Sequence, residues 1–132
     1  MASGVSFVSH DIVHRMINGD PESKCRIGEY IGCIEIGDNV FVGAGVRLMY
    51  NVRVGSNCVI GAGSIVTKDL PSNGVYAGIP ARYICSYDDF LKKRVQENKV
   101  LTDLLGEYEE FGQKLSKDQI KKMWNHFTEK RQ

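Results

Sequence analysis

The chain has 132 residues, enough for one domain of ordinary size but not for two large ones. Its 17 basic and 16 acidic residues nearly cancel, so charge gives no reason to expect binding to nucleic acid or to an anionic membrane. The four cysteines show no CxxC pair or metal-finger spacing, and no apolar run is long enough to span a bilayer, which favours a cytoplasmic protein with reduced thiols.

The N-terminal part of the chain contains two short strand signals separated by an insertion. Residues 5–8 alternate in the manner of a strand. Residues 11–26 break the pattern and are predicted to form a loop that projects from a corner of the fold. A strand-like pattern returns at residues 27–31, three residues out of phase with the repeat that follows.

A six-residue repeat occupies the middle of the chain. From Ile36 the sequence divides into the blocks IGDNVF, VGAGVR, LMYNVR, VGSNCV, IGAGSI and VTKDLP. The first position of every block is aliphatic, and the fourth is always Asn, Gly or Asp. Those three residue types most readily adopt a left-handed or tight-turn backbone. Each block therefore predicts a short strand followed by a sharp corner.

Three such sides close a triangle in 18 residues, so residues 36–71 are predicted to form two coils of a parallel β-helix. Adjacent coils should lie about 4.8 Å apart, with the aliphatic residues stacked inward. An α/β sheet would need helical crossovers between its parallel strands, and blocks of this length leave no room for them. The expected fold class is an all-β core with a helical tail.

After the repeat, the signals change from strand to helix. A turn cluster at residues 71–74 leads into an extended segment, residues 75–85, which contains a second turn at residues 78–80. Ser86 is a predicted helix N-cap. Residues 116–119 fit a capping box, followed by apolar residues at helical spacing.

These elements divide into a β-helix domain over residues 1–85, with the projecting loop 11–26, and a helical extension over residues 86–132. We expect the extension to cover the last coil, whose open edge would otherwise invite pairing with another chain. At the other end, the chain enters a strand almost at once. Either oligomer contacts cover that edge, or the chain is a shortened version of a longer protein.

The run IEIGDNVFVGAGVRLMYNVRVGSNCVIGAGSIVTKDLPSNGVYAGIPARYI resembles the C-terminal coils of the hexapeptide-repeat acyltransferases. It is most similar to sugar O-acetyltransferases that modify capsular polysaccharide and O-antigen, with the maltose and galactoside acetyltransferases as relatives. The segments IGAGSIVTKD and AGIPAR are specific to that group, and the resemblance covers roughly residues 5–90. It implies a left-handed β-helix, a homotrimer, and acetyl-CoA bound in a groove between neighbouring subunits.

Acyl transfer from a thioester to a hydroxyl needs a base, and histidine is the side chain best matched to that task near neutral pH. The resemblance implies that His10, in VSFVSHD, is the catalytic base, with Asp11 orienting or polarising it. Plain turn residues without a catalytic role are the alternative for both. His14 lies in the same loop and could contact the acceptor, whereas His126 is expected to be solvated on a helix face.

The match to the family motif also implies the residues that bind acetyl-CoA. Ala44 and Ala62 would line the channel for the pantetheine arm, with ordinary corner packing as the alternative. Thr67 and Lys68 would meet the phosphate-bearing part of the cofactor, and Arg82 would lie close by. Backbone N–H groups at glycine-rich corners could stabilise the oxyanion. No metal is expected.

The favoured function is an acetyl-CoA-dependent O-acetyltransferase that acts on a sugar hydroxyl, in a cell-surface saccharide or its precursor. The main alternative is a truncated or degenerate trimeric scaffold that binds CoA without turnover, because the chain begins only nine residues before His10. A γ-type carbonic anhydrase shares the fold but needs three zinc-binding histidines, and only His10 and His14 lie near the coils. A xenobiotic acceptor and an amine acceptor stay open.

Overall fold

The computed structural model describes residues 1–106 and 114–132. These residues form two compact units, Met1–Phe90 and Leu91–Gln132. All of the described strands lie in the first unit, and most of the helical residues lie in the second. The predicted combination of a β core and helices is confirmed, while the division at residues 85 and 86 stays a prediction. None of the helices in the described ranges is long and apolar enough to cross a membrane.

The described elements are short strands interrupted by one short helix and followed by two longer helices. The strands are β1 (Ser6–Val8), β2 (His10–Asp11), β3 (Tyr30–Ile31), β4 (Ile34–Ile36), β5 (Val40–Val42), β6 (Arg47–Met49), β7 (Val52–Val54), β8 (Cys58–Ile60), β9 (Ile65–Val66), β10 (Gly74–Ala77) and β11 (Arg82–Ser86). The helices are α1 (Val13–Gly19), α2 (Tyr87–Leu105) and α3 (Lys117–Glu129).

Strands of the repeat stack in parallel with a constant offset of 18 residues. Strand β4 pairs with β7, β5 with β8, and β6 with β9. The stack has three faces, which we call face 1 (β5, β8, β10, β11), face 2 (β1, β6, β9) and face 3 (β4, β7). The chain passes from face 1 to face 2 to face 3 and back to face 1, which is the order expected of a three-sided coil.

The first position of each block faces the interior of the stack. Val42, Leu48, Val54, Ile60 and Val66 are at most 1% exposed, and Ile36 packs against them from the partly open first coil. A buried polar side chain must be hydrogen-bonded to be tolerated. Ser64 meets this condition, because its hydroxyl donates to Gly61 O at 2.6 Å and accepts from Gly78 N at 3.0 Å.

The fourth positions form the corners between faces. Positive φ angles occur at Asn39, Gly45, Asn51, Asn57 and Gly63, as the residue types predict. We call residues 43–45 and 61–63 corner 1, residues 50–51 and 67–69 corner 2, and residues 37–39, 55–57 and 71–73 corner 3. At corner 3, the side-chain amide of Asn39 donates to Asn57, and that of Asn57 donates to Asn73.

The sixth block, VTKDLP, does not complete a side, and its interpretation as a full block is wrong. Val54 bridges to Leu70 rather than to a residue 18 positions later, and the following bonds keep an offset of 16 residues. Leu70 therefore takes the inward place of a first position and is 5% exposed. The corner closes early because the carboxylate of Asp69 accepts from Arg53 N at 2.8 Å.

The predicted projecting loop leaves the stack at corner 2. Strands β2 and β3 pair in antiparallel fashion, with His10 opposite Ile31, and close the base of the loop. We call residues 12–29 the excursion. It contains α1, so the interpretation of residues 11–26 as a loop throughout is wrong. The side-chain amide of Asn18 exchanges two hydrogen bonds with the backbone of Ile27, at 2.8 and 3.0 Å, and ties the two arms of the excursion together.

After the repeat, the structure contains the predicted extended segment, the Ser86 N-cap and the capping box at residues 116–119. Strand β10 pairs in parallel with β8 and turns back into β11, which covers its other edge. Ser86 Oγ accepts from Asp89 N at 3.1 Å. In the second unit, Ser116 and Gln119 exchange both bonds of the predicted capping box at the start of α3. Coverage of the last coil by the helical extension stays a prediction.

Candidate functional site

The predicted site residues lie at two of the three corners. At the end of face 2, Val8 is in register with Met49, and Leu48 is in register with Val66. The residues that follow each strand therefore stack at corner 2. They are His10 and Asp11 at the base of the excursion, then Tyr50 and Asn51, then Thr67 and Lys68.

His10 lies at the base of the excursion beside a carboxylate that the sequence did not point to. Its Nε2 is 3.8 Å from Oε1 of Glu29, and the two side chains are 58% and 43% exposed. This separation lies within ion-pair range when the imidazole is protonated and is longer than a hydrogen bond. A carboxylate at that distance stabilises the imidazolium that forms when histidine takes up a proton. The sequence gives no sign of this contact, because Glu29 lies at the far end of the excursion, directly before β3. No local spacing connects it with His10.

The Asp11 carboxylate has other partners. Its Oδ2 accepts from the Tyr50 hydroxyl at 2.9 Å, and its Oδ1 accepts from Val13 N at 3.2 Å at the start of α1. The hydrogen bond to Asp11, together with the negative charge of that carboxylate, raises the pKa of Tyr50. The structure thus links Asp11 to the next coil and to α1, whereas Glu29 faces His10. A catalytic role for Asp11 stays a prediction.

Aromatic and amide side chains continue this link across corner 2. The Tyr30 and Tyr50 rings lie 4.7 Å apart between centroids, at an angle of 51°. The side-chain amide of Asn51 donates to the Tyr30 hydroxyl at 2.8 Å, and its carbonyl oxygen accepts from Cys33 N at 3.3 Å. Both strands at the base of the excursion are therefore bonded to the same corner of the coil above.

A pocket of about 420 Å³ opens within the base of the excursion. It is lined by Asp11, Val13 and His14 on one side and by residues 27–30 on the other. Nδ1 of His14 is buried and lacks a hydrogen-bond partner among the described residues. The pocket combines carboxylate, imidazole and phenol groups with apolar side chains, which is the usual composition of a site for a small polar molecule.

Ala44 and Ala62 are exposed at corner 1, one coil apart. Their corners stack closely, because Gly63 N donates to Ala44 O at 2.8 Å and a Cβ atom on Gly43 would lie 2.6 Å from Ala62 N. Arg82 is exposed on β11 opposite Ala77, which stacks above Gly61 at the start of corner 1. The structure thus brings Ala44, Ala62 and Arg82 to one column.

Thr67 and Lys68 are exposed at corner 2, in the column of His10, and do not join the corner 1 residues within this chain. The predicted cofactor residues are therefore divided between two corners. Within residues 1–106 and 114–132, no group of three or more His, Cys, Asp or Glu side chains is arranged to hold a metal ion.

Residues 33–68 match the family described as "Bacterial transferase hexapeptide (six repeats)". The galactoside O-acetyltransferase of Escherichia coli (strain K12) is 54% identical over 56 residues, which cover 42% of this chain and 28% of that protein. The solved maltose O-acetyltransferase from Clostridium difficile 630 is 39% identical and covers 62% of this chain and 41% of its own, with a TM-score of 0.52. The polySia specific acetyltransferase NeuO is 34% identical and covers 73% of this chain and 48% of its own, with a TM-score of 0.50.

The resemblance to hexapeptide-repeat acyltransferases is confirmed by these matches. The chain spans less than half the length of each of the three relatives, and under a third of the galactoside enzyme.

Proposed function

We propose that this chain transfers an acetyl group from acetyl-CoA to a sugar hydroxyl, in a cell-surface saccharide or its precursor made in the cytoplasm. The observation that supports the proposal most is the His10–Glu29 pair, which stands where an irregular excursion leaves a hexapeptide-repeat stack. The relatives named galactoside and maltose O-acetyltransferases support a sugar as the acceptor.

In the proposed reaction, Nε2 of His10 faces Glu29, and the other ring nitrogen takes the proton of the acceptor hydroxyl. The oxygen then attacks the thioester carbonyl carbon to form a tetrahedral intermediate. Its oxyanion is stabilised by backbone N–H groups at a glycine-rich corner. The C–S bond breaks, the imidazolium returns its proton to the departing thiolate, and CoA leaves as a thiol. Glu29 stabilises the imidazolium between these two proton transfers.

We further propose that the coils wind in a left-handed sense and that three copies assemble side by side. This assembly accounts for the division of the predicted residues between two corners of one chain. Corner 1 of one subunit, with Ala44, Ala62 and Arg82, would face corner 2 of its neighbour, with His10. Acetyl-CoA would lie in the groove between them, its pantetheine arm against the alanines and its phosphates near Arg82, Thr67 and Lys68.

The first test is thiol release from acetyl-CoA in the presence of a panel of sugars. His10→Ala should lower turnover about 10²- to 10⁴-fold, the range of a general base, without changing the assembly. His126→Ala, the same substitution in the second unit, should leave turnover unchanged. Equal activities of His10→Ala and the unsubstituted protein would remove the proposed base. Binding of CoA with no release for any acceptor would favour the scaffold without turnover.

A second test examines the shared groove. His10→Ala and Ala62→Trp chains should each be inactive, the second because the indole would block the pantetheine channel. Random 1:1 reassembly should restore about a quarter of the unsubstituted activity, since each groove takes one corner from each of two neighbours. A site contained in one chain predicts no recovery, and that result would contradict the shared groove.

A further inference from the structure

Four side chains join the base of the excursion to the coil above it. We call Asp11, Tyr30, Tyr50 and Asn51 the corner clasp. Tyr50 donates to Asp11 on β2, and Asn51 donates to Tyr30 on β3, so each strand of the base receives one bond from the next coil. The stacked rings of Tyr30 and Tyr50 connect the two halves of the clasp.

Beside the clasp, two bonds between Cys33 and Asn51 tie the chain just after β3 to the same corner, at 3.3 and 2.6 Å. Strands β2 and β3 contain two residues each, and α1 contains no buried residue. A two-stranded ribbon of that length is unstable on its own in water. The direction in which the base of the excursion points therefore depends on bonds to the stack rather than on burial.

The clasp residues are the direct chain neighbours of the proposed catalytic pair. His10 immediately precedes Asp11, and Glu29 immediately precedes Tyr30. Because consecutive side chains of a strand point to opposite faces, the clasp bond of Asp11 on one face of β2 fixes His10 on the other. Glu29 directly precedes β3, and the clasp bond of Tyr30 anchors the strand that follows it. The two clasp bonds thus act on both sides of the 3.8 Å contact between His10 and Glu29.

We propose that Tyr50 is a positioning residue, whose hydrogen bond to Asp11 holds His10 at the angle and distance that acyl transfer requires. This inference rests on the proposed function of His10. The acceptor is a carboxylate, which makes the bond stronger than one between neutral groups. The bond also raises the pKa of Tyr50, so the hydroxyl stays protonated further into the alkaline range.

The decisive variant is Tyr50→Phe, which removes the hydroxyl and keeps the ring against Tyr30. We expect kcat to fall about tenfold, because small displacements of a catalytic group are costly, while KM for acetyl-CoA stays within about twofold. Tyr83→Phe is the matched control: this exposed ring packs against Tyr76, and its hydroxyl lies outside the clasp. It should leave kcat unchanged. Asp11→Asn keeps an oxygen that can accept from Tyr50 and should retain more activity than Tyr50→Phe.

Hydrogen exchange supplies a readout that does not need turnover. The Gly32 amide donates to Ser9 O at 2.8 Å at the base of the excursion and should exchange at least about fivefold faster in Tyr50→Phe, as expected for local opening. The Arg47 amide, which donates to Ser64 O inside the stack, should exchange at its normal rate.

Unchanged kcat in Tyr50→Phe would overturn the inference even if Gly32 exchanged faster, because the clasp would then hold the excursion without positioning the base. A fall in kcat with unchanged exchange at Gly32 would overturn it as well. If the unsubstituted protein acetylates no sugar, the proposed function fails. Faster exchange at Gly32 would then still support the clasp, and unchanged exchange would overturn that too.

Discussion

The coils and the excursion obtain their order in different ways. In the coils, the strands β4, β5 and β6 bond to strands 18 residues further along, and the inward side chains are almost completely buried. In the excursion, order comes from single side-chain bonds, such as those of Asn18 to Ile27 and Tyr50 to Asp11, and α1 buries nothing. The buried core and the proposed catalytic base thus lie in different parts of one unit.

This contrast has a physical basis. A residue inside the stack touches the equivalent residue of the next coil, so a change in one coil disturbs its neighbour as well. A residue of the excursion touches few others and can change without cost to the fold. Side chains that must vary from one acceptor to another are therefore better accommodated where the repeat is interrupted.

The sharpest test of the contrast is truncation of one apolar side chain in each region. Leu48 in β6 is 0% exposed, and Leu48→Ala should lower the free energy of unfolding by about 3 kcal/mol through lost burial and a cavity. Met16 in α1 is 73% exposed, and Met16→Ala should change it by no more than about 0.5 kcal/mol. Urea unfolding followed by circular dichroism measures both. Similar losses would mean that the excursion shares the stability of the stack.

The next test removes one negative charge from each region. Glu29→Gln in the excursion should lower kcat about tenfold, because the imidazolium of His10 loses its stabilising carboxylate. Glu35→Gln on face 3 breaks an exposed pair with Arg53, away from His10, and should leave kcat unchanged. Steady-state kinetics with saturating acetyl-CoA provides the measurement. Full activity of Glu29→Gln would assign the carboxylate no part in the reaction.

The smallest expected effect concerns Tyr76 in β10. Its hydroxyl donates to Pro71 O at 2.7 Å, and burial, with smaller contributions from Cys58 and Tyr83, raises the pKa of this phenol. The folded state thus favours the protonated form. Its contribution to stability is complete below the unfolded pKa of about 10 and is lost as the pH rises through the higher folded pKa.

Tyr76→Phe should cost about 1 kcal/mol at pH 7, because the carbonyl of Pro71 loses its hydroxyl donor and keeps only the weaker bond from Cys58 Sγ. The variant should also lose less stability than the unsubstituted protein between neutral pH and strongly alkaline pH. Urea midpoints at several pH values would detect this. If the stability of both proteins fell equally at alkaline pH, the loss would have to come from groups other than Tyr76.

The sequence predicts the stack well, because its rules are local. An aliphatic first position and an Asn or Gly fourth position determine a side from six residues, and Val42, Leu48 and Asn57 lie as expected. The rule fails at Leu70, whose inward place depends on pairing with Val54 and on the side-chain bond from Asp69. The six-residue pattern contains no sign of this bond between Arg53 N and the Asp69 carboxylate.

The excursion is predicted less well. Helix α1 was missed because Ile12 at its N-cap makes no side-chain capping bond and its first turn carries no acidic residue. The contact of Glu29 with His10 depends on the pairing of β2 with β3, which brings together residues far apart in the chain. His10 itself was found through a family motif rather than through any physical pattern.

The hydrogen bonds between asparagines at corner 3 affect how coils can be added to the stack. Each amide donates to the next asparagine toward the C-terminus, so the column has a fixed direction, with one step of 18 residues and one of 16. Tandem duplication of one complete turn would insert another donor and acceptor of the same kind and leave both neighbours satisfied. The stack can therefore gain a whole turn without leaving an unpaired amide in the column at corner 3.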